Sequence, residues 1–142
     1  MKDAATQEIT DEQKRYAAAR LQEMPLARHF GMHLVDLAPG EAVIELEMRP
    51  DLEQPFGIMH GGVTATLIDT AMAYAVRTRV GPTEPTATID LTIHYIRPHA
   101  AGKCRCIARV VRAGKRIFTV TADVENEKGK LIATAVSTYT RV

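Results

Sequence analysis

Apolar positions recur along this chain in two rhythms, and the point where one replaces the other divides it. Over the first ~25 residues the spacing is helical: Ala17, Leu21 and Met24 share a face, and Thr10 with Gln13 fits a capping box. Pro25 can open a second short helix, "PLARHF", which Gly31 ends. Residues 1–30 are therefore expected to form an N-terminal helical segment. In "GEAVIELEM", Ala42, Ile44, Leu46 and Met48 alternate with Glu41, Val43, Glu45 and Glu47, which predicts a half-buried strand. The loop "RPDLEQPFG" follows, and then Val63 to Val76, apolar on nearly every side, reads as a buried helix.

Beyond that helix the period is two. In "TATIDLTIHYI", Ala87, Ile89, Leu91, Ile93 and Tyr95 are predicted to face one way and Thr88, Asp90, Thr92 and His94 the other. "KCRCIARVV", "RIFTVTADVE" and "LIATAVSTYT" continue the pattern, separated by "RPHAAG", "RAGK" and "NEKGK". Those segments carry turn chemistry, so three consecutive hairpins in an antiparallel meander are expected. Strands of about ten residues reach over ~30 Å, and one long central helix against one strongly curved sheet is the economical packing. The fold class is α+β, with residues 1–142 as a single domain.

Composition removes several functions. The formal net charge is +1 and the basic residues are scattered, so nothing favours nucleic acid or an acidic membrane surface. No run approaches the ~20 apolar residues of a membrane span, and "MKDAATQEIT" lacks a signal-peptide core; a soluble cytoplasmic protein is expected. Cys104 and Cys106 would share one strand face with Ala108 and Val110, as small core residues. A metal site would need further ligands, and no other Cys is present. Neither metal nor cofactor is expected.

The candidate chemistry lies in "QPFGIMHGGVTATLIDT", residues 54–70. Asp69 is the only charged residue between Val63 and Val76, and a buried carboxylate needs partners or a job. A helix N-terminus exposes unsatisfied N–H groups with partial positive charge, and Gly61 and Gly62 leave them open to a carbonyl oxygen. The alternative is a structural helix carboxylate capped by neighbouring hydroxyls such as Thr66 or Thr70. No G-x-S-x-G elbow occurs, and Ser137 is the only serine.

Gln54, Gly57, His60, Gly61 and Gly62 followed by Asp69 resemble the PaaI-type branch of the hotdog-fold acyl-CoA thioesterases, from about Leu26 to the end of the chain. The match includes "TIDLTIHYIRP" and "GKLIATAVSTYT". The resemblance implies a hotdog fold, a long central helix wrapped by a curved antiparallel sheet, and hydrolysis of an acyl-CoA thioester. It implies that the Gly61 N–H binds the thioester oxygen and that Asp69 attacks the carbonyl or activates water. Gln54 and His60 would line the site, and Thr88 would help hold the hydrolytic water. Tyr95, Ile96, Arg97 and Pro98 would contact coenzyme A, with Arg112 and Lys115 near its phosphates. Gln54 stands where many close relatives carry Asn, and relatives with Gln there often pair it with Glu. Phe56, Met59 and Met72 are the candidates for an apolar acyl pocket, suited to aromatic or medium-chain acyl groups.

Two other readings keep part of this picture. A hydratase or dehydratase of the same fold would use His60 as a base, and a non-catalytic acyl-CoA-binding module would not need Asp69. Assembly follows from spacing. Gly61 and Asp69 are ~12 Å apart along one helix, too far to act on one carbonyl. A homo-oligomer is expected, built on a dimer with shared sites as in the resembled family, and arranged as a dimer of dimers.

Overall fold

The computed structural model describes residues 7–142. Its elements run α1 (Asp11–Glu23), α2 (Pro25–Phe30), β1 (His33–Ala38), β2 (Glu41–Glu47), α3 (Gly61–Val80), β3 (Thr86–Tyr95), β4 (Lys103–Ala113), β5 (Ile117–Asn126) and β6 (Leu131–Arg141). A single 3-10 turn, Pro50–Leu52, lies between β2 and α3. Residues 1–6 of the expected N-terminal helical segment lie outside the described residues. The capping box is present: Thr10 Oγ1 accepts from the Gln13 N–H at 3.1 Å, and Gln13 Oε1 accepts from the Thr10 N–H at 2.8 Å. Pro25 is the first residue of α2, and Gly31 closes it at φ 71°, a left-handed conformation that favours glycine.

β2 has the expected alternation, with Ala42, Ile44 and Leu46 buried. β1 was not anticipated. Its pairing with β2 shifts register between Leu34 and Asp36, and only Leu37 is buried, so period two is erased there.

The antiparallel sheet has the order β1-β2-β4-β5-β6-β3. This corrects the expected meander: "RAGK" and "NEKGK" make hairpins, whereas "RPHAAG" does not, and β3 pairs with β6 at the far edge. The β3–β4 link is too long for a tight turn and is bonded elsewhere. The Ile96 and Arg97 N–H groups both donate to Ile132 O, and His99 O accepts from Met59 N at 2.8 Å. The chain is thereby led past the start of α3 before it enters β4 beside β2.

α3 crosses the concave face of the sheet. Leu67, Ile68, Ala71, Met72, Ala75 and Val76 are fully buried there, with Cys106, Ala108 and Ala133 among the small residues of the same core. Cys104 and Cys106 are free, buried thiols on the core face, as their spacing predicted. Burial pushes the Cys104 thiol up to about 12 and the Cys106 thiol higher still. Among the described residues, no helix is long and apolar enough to cross a membrane.

Candidate active site

The loop before α3 presents two donors. Gln54 N donates to Ile58 O at 2.8 Å and Gly57 N to Gln54 O at 3.1 Å, a turn in which Gly57 takes φ 80°. Gln54 Oε1 accepts the Phe56 N–H, which leaves the carboxamide NH2 as the group Gln54 can offer a ligand. His60 is the N-cap of α3, with its Nδ1 accepting the Gly62 N–H at 2.8 Å. In the neutral ring the proton is then on Nε2. The Gly61 N–H has no hydrogen-bond partner among the described residues.

Both glycines sit where a side chain would be crowded. A Cβ on Gly61 would stand 3.2 Å from the Tyr95 ring, and one on Gly62 would stand 3.0 Å from His60 Nδ1. The Tyr95 hydroxyl also donates to Gly61 O at 2.6 Å, tying the end of β3 to the first turn of α3. A groove of about 450 Å³ opens at this junction. It gathers Gln54, Met59, Gly61, Tyr95, Ile96, Arg97 and Pro98 of the expected site, together with Ile58, Thr64, His99 and Ile132.

Two turns further along α3, Asp69 meets a different set of groups. Thr88 Oγ1 donates to Asp69 Oδ1 at 2.8 Å, and the Tyr139 hydroxyl donates to the same oxygen. That hydroxyl is also 2.7 Å from Asp69 O. The Thr66 and Thr70 hydroxyls instead donate to the helix carbonyls of Gly62 and Thr66, so the hydroxyls that cap Asp69 are those of Thr88 and Tyr139.

Strict alternation put Thr88 on the face opposite Leu91, Ile93 and Tyr95. A bulge corrects this: Thr88 pairs with Tyr139 but Asp90 pairs with Thr138, so Ile89 is an extra residue. Directly paired residues share a face, and Tyr139 is buried, so the bulge turns Thr88 inward to reach Asp69.

Tyr139 was missed by sequence reasoning. Its signal was there: it follows Ala133, Ala135 and Ser137 on a core face of small residues, where a buried tyrosine must find a partner for its hydroxyl. Burial, then the Asp69 carboxylate, push its phenol far above the usual range, which keeps it a hydrogen-bond donor.

One chain does not bring the whole expected site together. Asp69 and Thr88 are at one end of the α3–β3 contact, and Gly61 and Tyr95 are at the other. The Gly61–Asp69 separation is ~12 Å along the helix axis, and Thr88 to Tyr95 spans roughly 20 Å of strand. Arg112 and Lys115 are exposed at the β4–β5 turn, on the Thr88 side, because Ala113 pairs with Phe118 and Phe118 with Tyr139. Arg97 donates to Leu131 O at 2.9 Å beside the groove. Phe56 is 88% exposed in the loop before α3. Met72 is fully buried against the sheet and does not line this groove, because its helical position faces the core. Ser137 is buried and donates to Asp90 O, so it has no nucleophile's geometry.

Residues 56–133 match the family model of the thioesterase superfamily. Human acyl-coenzyme A thioesterase 13 is 33% identical over 131 residues, 90% of each chain. The 1,4-dihydroxy-2-naphthoyl-CoA hydrolase of Listeria monocytogenes is 27% identical over 109 residues, 77% of this chain and 89% of that one. Among solved structures, a variant of the phenylacetic acid degradation protein PaaI from Thermus thermophilus superposes with a TM-score of 0.77. It shares 35% identity and covers 84% of this chain and all of its own.

Proposed function

Because this chain belongs to the thioesterase superfamily, with its hotdog fold, and is a thioester hydrolase, we propose that it splits an aromatic or medium-chain acyl-CoA into the free acid and CoA. The observation that carries this reading is the Gly61 N–H at the start of α3, without a partner among the described residues, in a groove that Gly61 and Gln54 both line. Donors fixed before reaction and aimed at a developing oxyanion are the largest single source of catalysis in acyl transfer. Two of the relatives are named for hydrolysis of CoA thioesters, and the third for degradation of an aromatic acid.

Asp69 supplies the second half of the reaction. As a general base it takes a proton from water while the water oxygen bonds to the thioester carbon and the carbonyl electrons move onto the oxygen held by Gly61 and Gln54. The C–S bond then breaks, the carbonyl re-forms, and the proton passes from Asp69 to the leaving thiolate. As a nucleophile it would displace CoA thiolate, the C–S bond breaking as an acyl anhydride forms. Water then opens the anhydride to the free acid and the Asp69 carboxylate, and the proton from water goes to the thiolate. Either route needs Gly61 and Asp69 within ~3 Å of one reacting centre, which a single α3 cannot provide.

The site is therefore shared across a two-fold axis. β3 is an edge strand, paired with β6 alone among the described residues, and Ile89 and Tyr95 on it are more than half exposed. A second β3 added antiparallel would set the Tyr95–Gly61 end of one copy beside the Thr88–Asp69 end of the other. Arg112 and Lys115 then belong to the Asp69-bearing copy and meet the CoA phosphates there. The hydratase reading is disfavoured by His60, whose Nδ1 lone pair is committed to the Gly62 N–H.

The test is a kcat/KM panel over acyl-CoAs with a thiol-trapping dye, run beside crotonyl-CoA hydration. Turnover with CoA release is expected; tight binding without thiol release, or hydration without it, would overturn the reading. Arg112→Ala with Lys115→Ala is expected to raise KM for acyl-CoA about fivefold, the effect of ~1 kcal/mol of lost binding. KM for an acyl-pantetheine lacking the nucleotide should stay within twofold. Equal changes for both substrates would remove the phosphate role.

A further inference from the structure

Both hydrogen bonds to the Asp69 carboxylate converge on one of its two oxygens. Thr88 and Tyr139 donate to Oδ1, whereas Oδ2 has no hydrogen-bond or ion-pair partner among the described residues. The donors come from adjacent strands, β3 and β6, at paired positions, so they approach the oxygen from different directions. One donor would leave the carboxylate free to turn about its Cα–Cβ and Cβ–Cγ bonds; two anchors fix both torsions. A half-turn of the group merely exchanges the names of its oxygens.

We propose that Tyr139 is a positioning residue which, with Thr88, anchors one oxygen of Asp69 and leaves the other as the oxygen that acts on water or thioester. The inference rests on reading Asp69 as the catalytic carboxylate. It also changes the role that the resemblance implied for Thr88, whose hydroxyl proton is committed to Asp69 rather than to the substrate side. Tyr139 is the stiffer of the two anchors. It is 2% exposed, its strand lies between β5 and β3, and its hydroxyl also touches the backbone carbonyl of Asp69, which ties it to that turn of α3. Thr88 is exposed on an edge strand and reaches Asp69 only through the bulge at Ile89. A phenol that remains protonated throughout the working pH range suits this anchoring task.

The experiment uses the full chain and one good acyl-CoA substrate. Tyr139→Phe is expected to lower kcat roughly 10- to 100-fold, the size of effect that a misplaced catalytic group produces, with KM within twofold. In an Asp69→Asn background the same change should cause no further loss of residual turnover, because both act through one carboxylate. Thr88→Val should lower kcat in the same sense, and Thr88→Ser should restore it. If Tyr139→Phe does not fold, the Thr88 pair decides: unchanged kcat in Thr88→Val, or no rescue by serine, overturns the anchoring. A Tyr139→Phe loss of equal size in both backgrounds would mark a merely structural tyrosine. If Asp69→Asn keeps its turnover, the functional reading fails and takes this inference with it. If Asp69→Asn is inactive but Tyr139→Phe is not impaired, only this inference fails.

Discussion

Asp69→Asn is expected to fold like the parent and to lose at least ~100-fold in kcat. Asparagine has nearly the shape of aspartate, and its amide oxygen can still accept from Thr88 and Tyr139. Packing around α3 is then preserved, and neither hydroxyl is stranded in a half-buried site. What the substitution removes is the charge and the lone pairs of the second oxygen, which becomes an NH2 group. An amide neither takes a proton from water nor attacks a thioester, and a positioned acid–base group typically contributes 10²–10⁴-fold. The measurement is kcat by thiol trapping alongside thermal unfolding of both proteins. Near-parental turnover in a folded variant would make Asp69 a structural residue and the proposed mechanism wrong.

The second large effect is a recovery. Asp69→Ala and Gln54→Ala chains, each inactive alone, are expected to regain about a quarter of the parental activity when unfolded together in equal amounts and refolded. Random pairing makes about half of the dimers mixed, and each mixed dimer holds one doubly damaged site and one intact site. The physical ground is the separation within one chain: Tyr95 holds Gly61 at one end of the α3–β3 contact, and Thr88 holds Asp69 at the other. Subunit exchange is checked independently with differently tagged chains. A mixture that exchanges yet stays inactive would confine the site to one chain.

Much of this was legible in the residues, for reasons that differ from place to place. The helix from Gly61 was readable because its run is long and apolar, and the strand from Glu41 because its burial alternates as a half-buried strand's does. The burial of the helix itself follows one face, from Val63 and Thr64 through Leu67, Ile68, Ala71 and Met72 to Ala75 and Val76. The capping box at Thr10 was readable because its two bonds link residues three apart in sequence. Placement of β3 beside β6 was not. Turn residues in "RPHAAG" announce a reversal but do not say which strand the chain joins next, and that was decided by bonds to Ile132 and Met59, distant in sequence.

The bulge at Ile89 was hidden for a related reason. An apolar residue in an alternating run looks like one more inward position, yet here it is the unpaired residue, and it is 55% exposed. Alternation alone would have aimed Thr88 away from Asp69; the resemblance named Thr88, and the bulge brings it to the carboxylate. Tyr139 escaped because its role depends on a partner seventy residues away in sequence. Met72 was nominated by residue type, which cannot say which side of a helix a side chain occupies.

The two thiols on the core face make the protein a reporter of its own opening. Burial holds the Cys104 thiol well above its ordinary acidity, so very little of it is the reactive thiolate at pH 8, and almost none of its surface meets solvent. The dye that captures released CoA will therefore leave the folded enzyme untouched, and the assay background will be set by reagent alone. Once the sheet separates from α3, both thiols return to ordinary acidity together and react. A pulse of dye then counts unfolded chains at two sulfurs each, in the same cuvette and with the same absorbance that follows turnover.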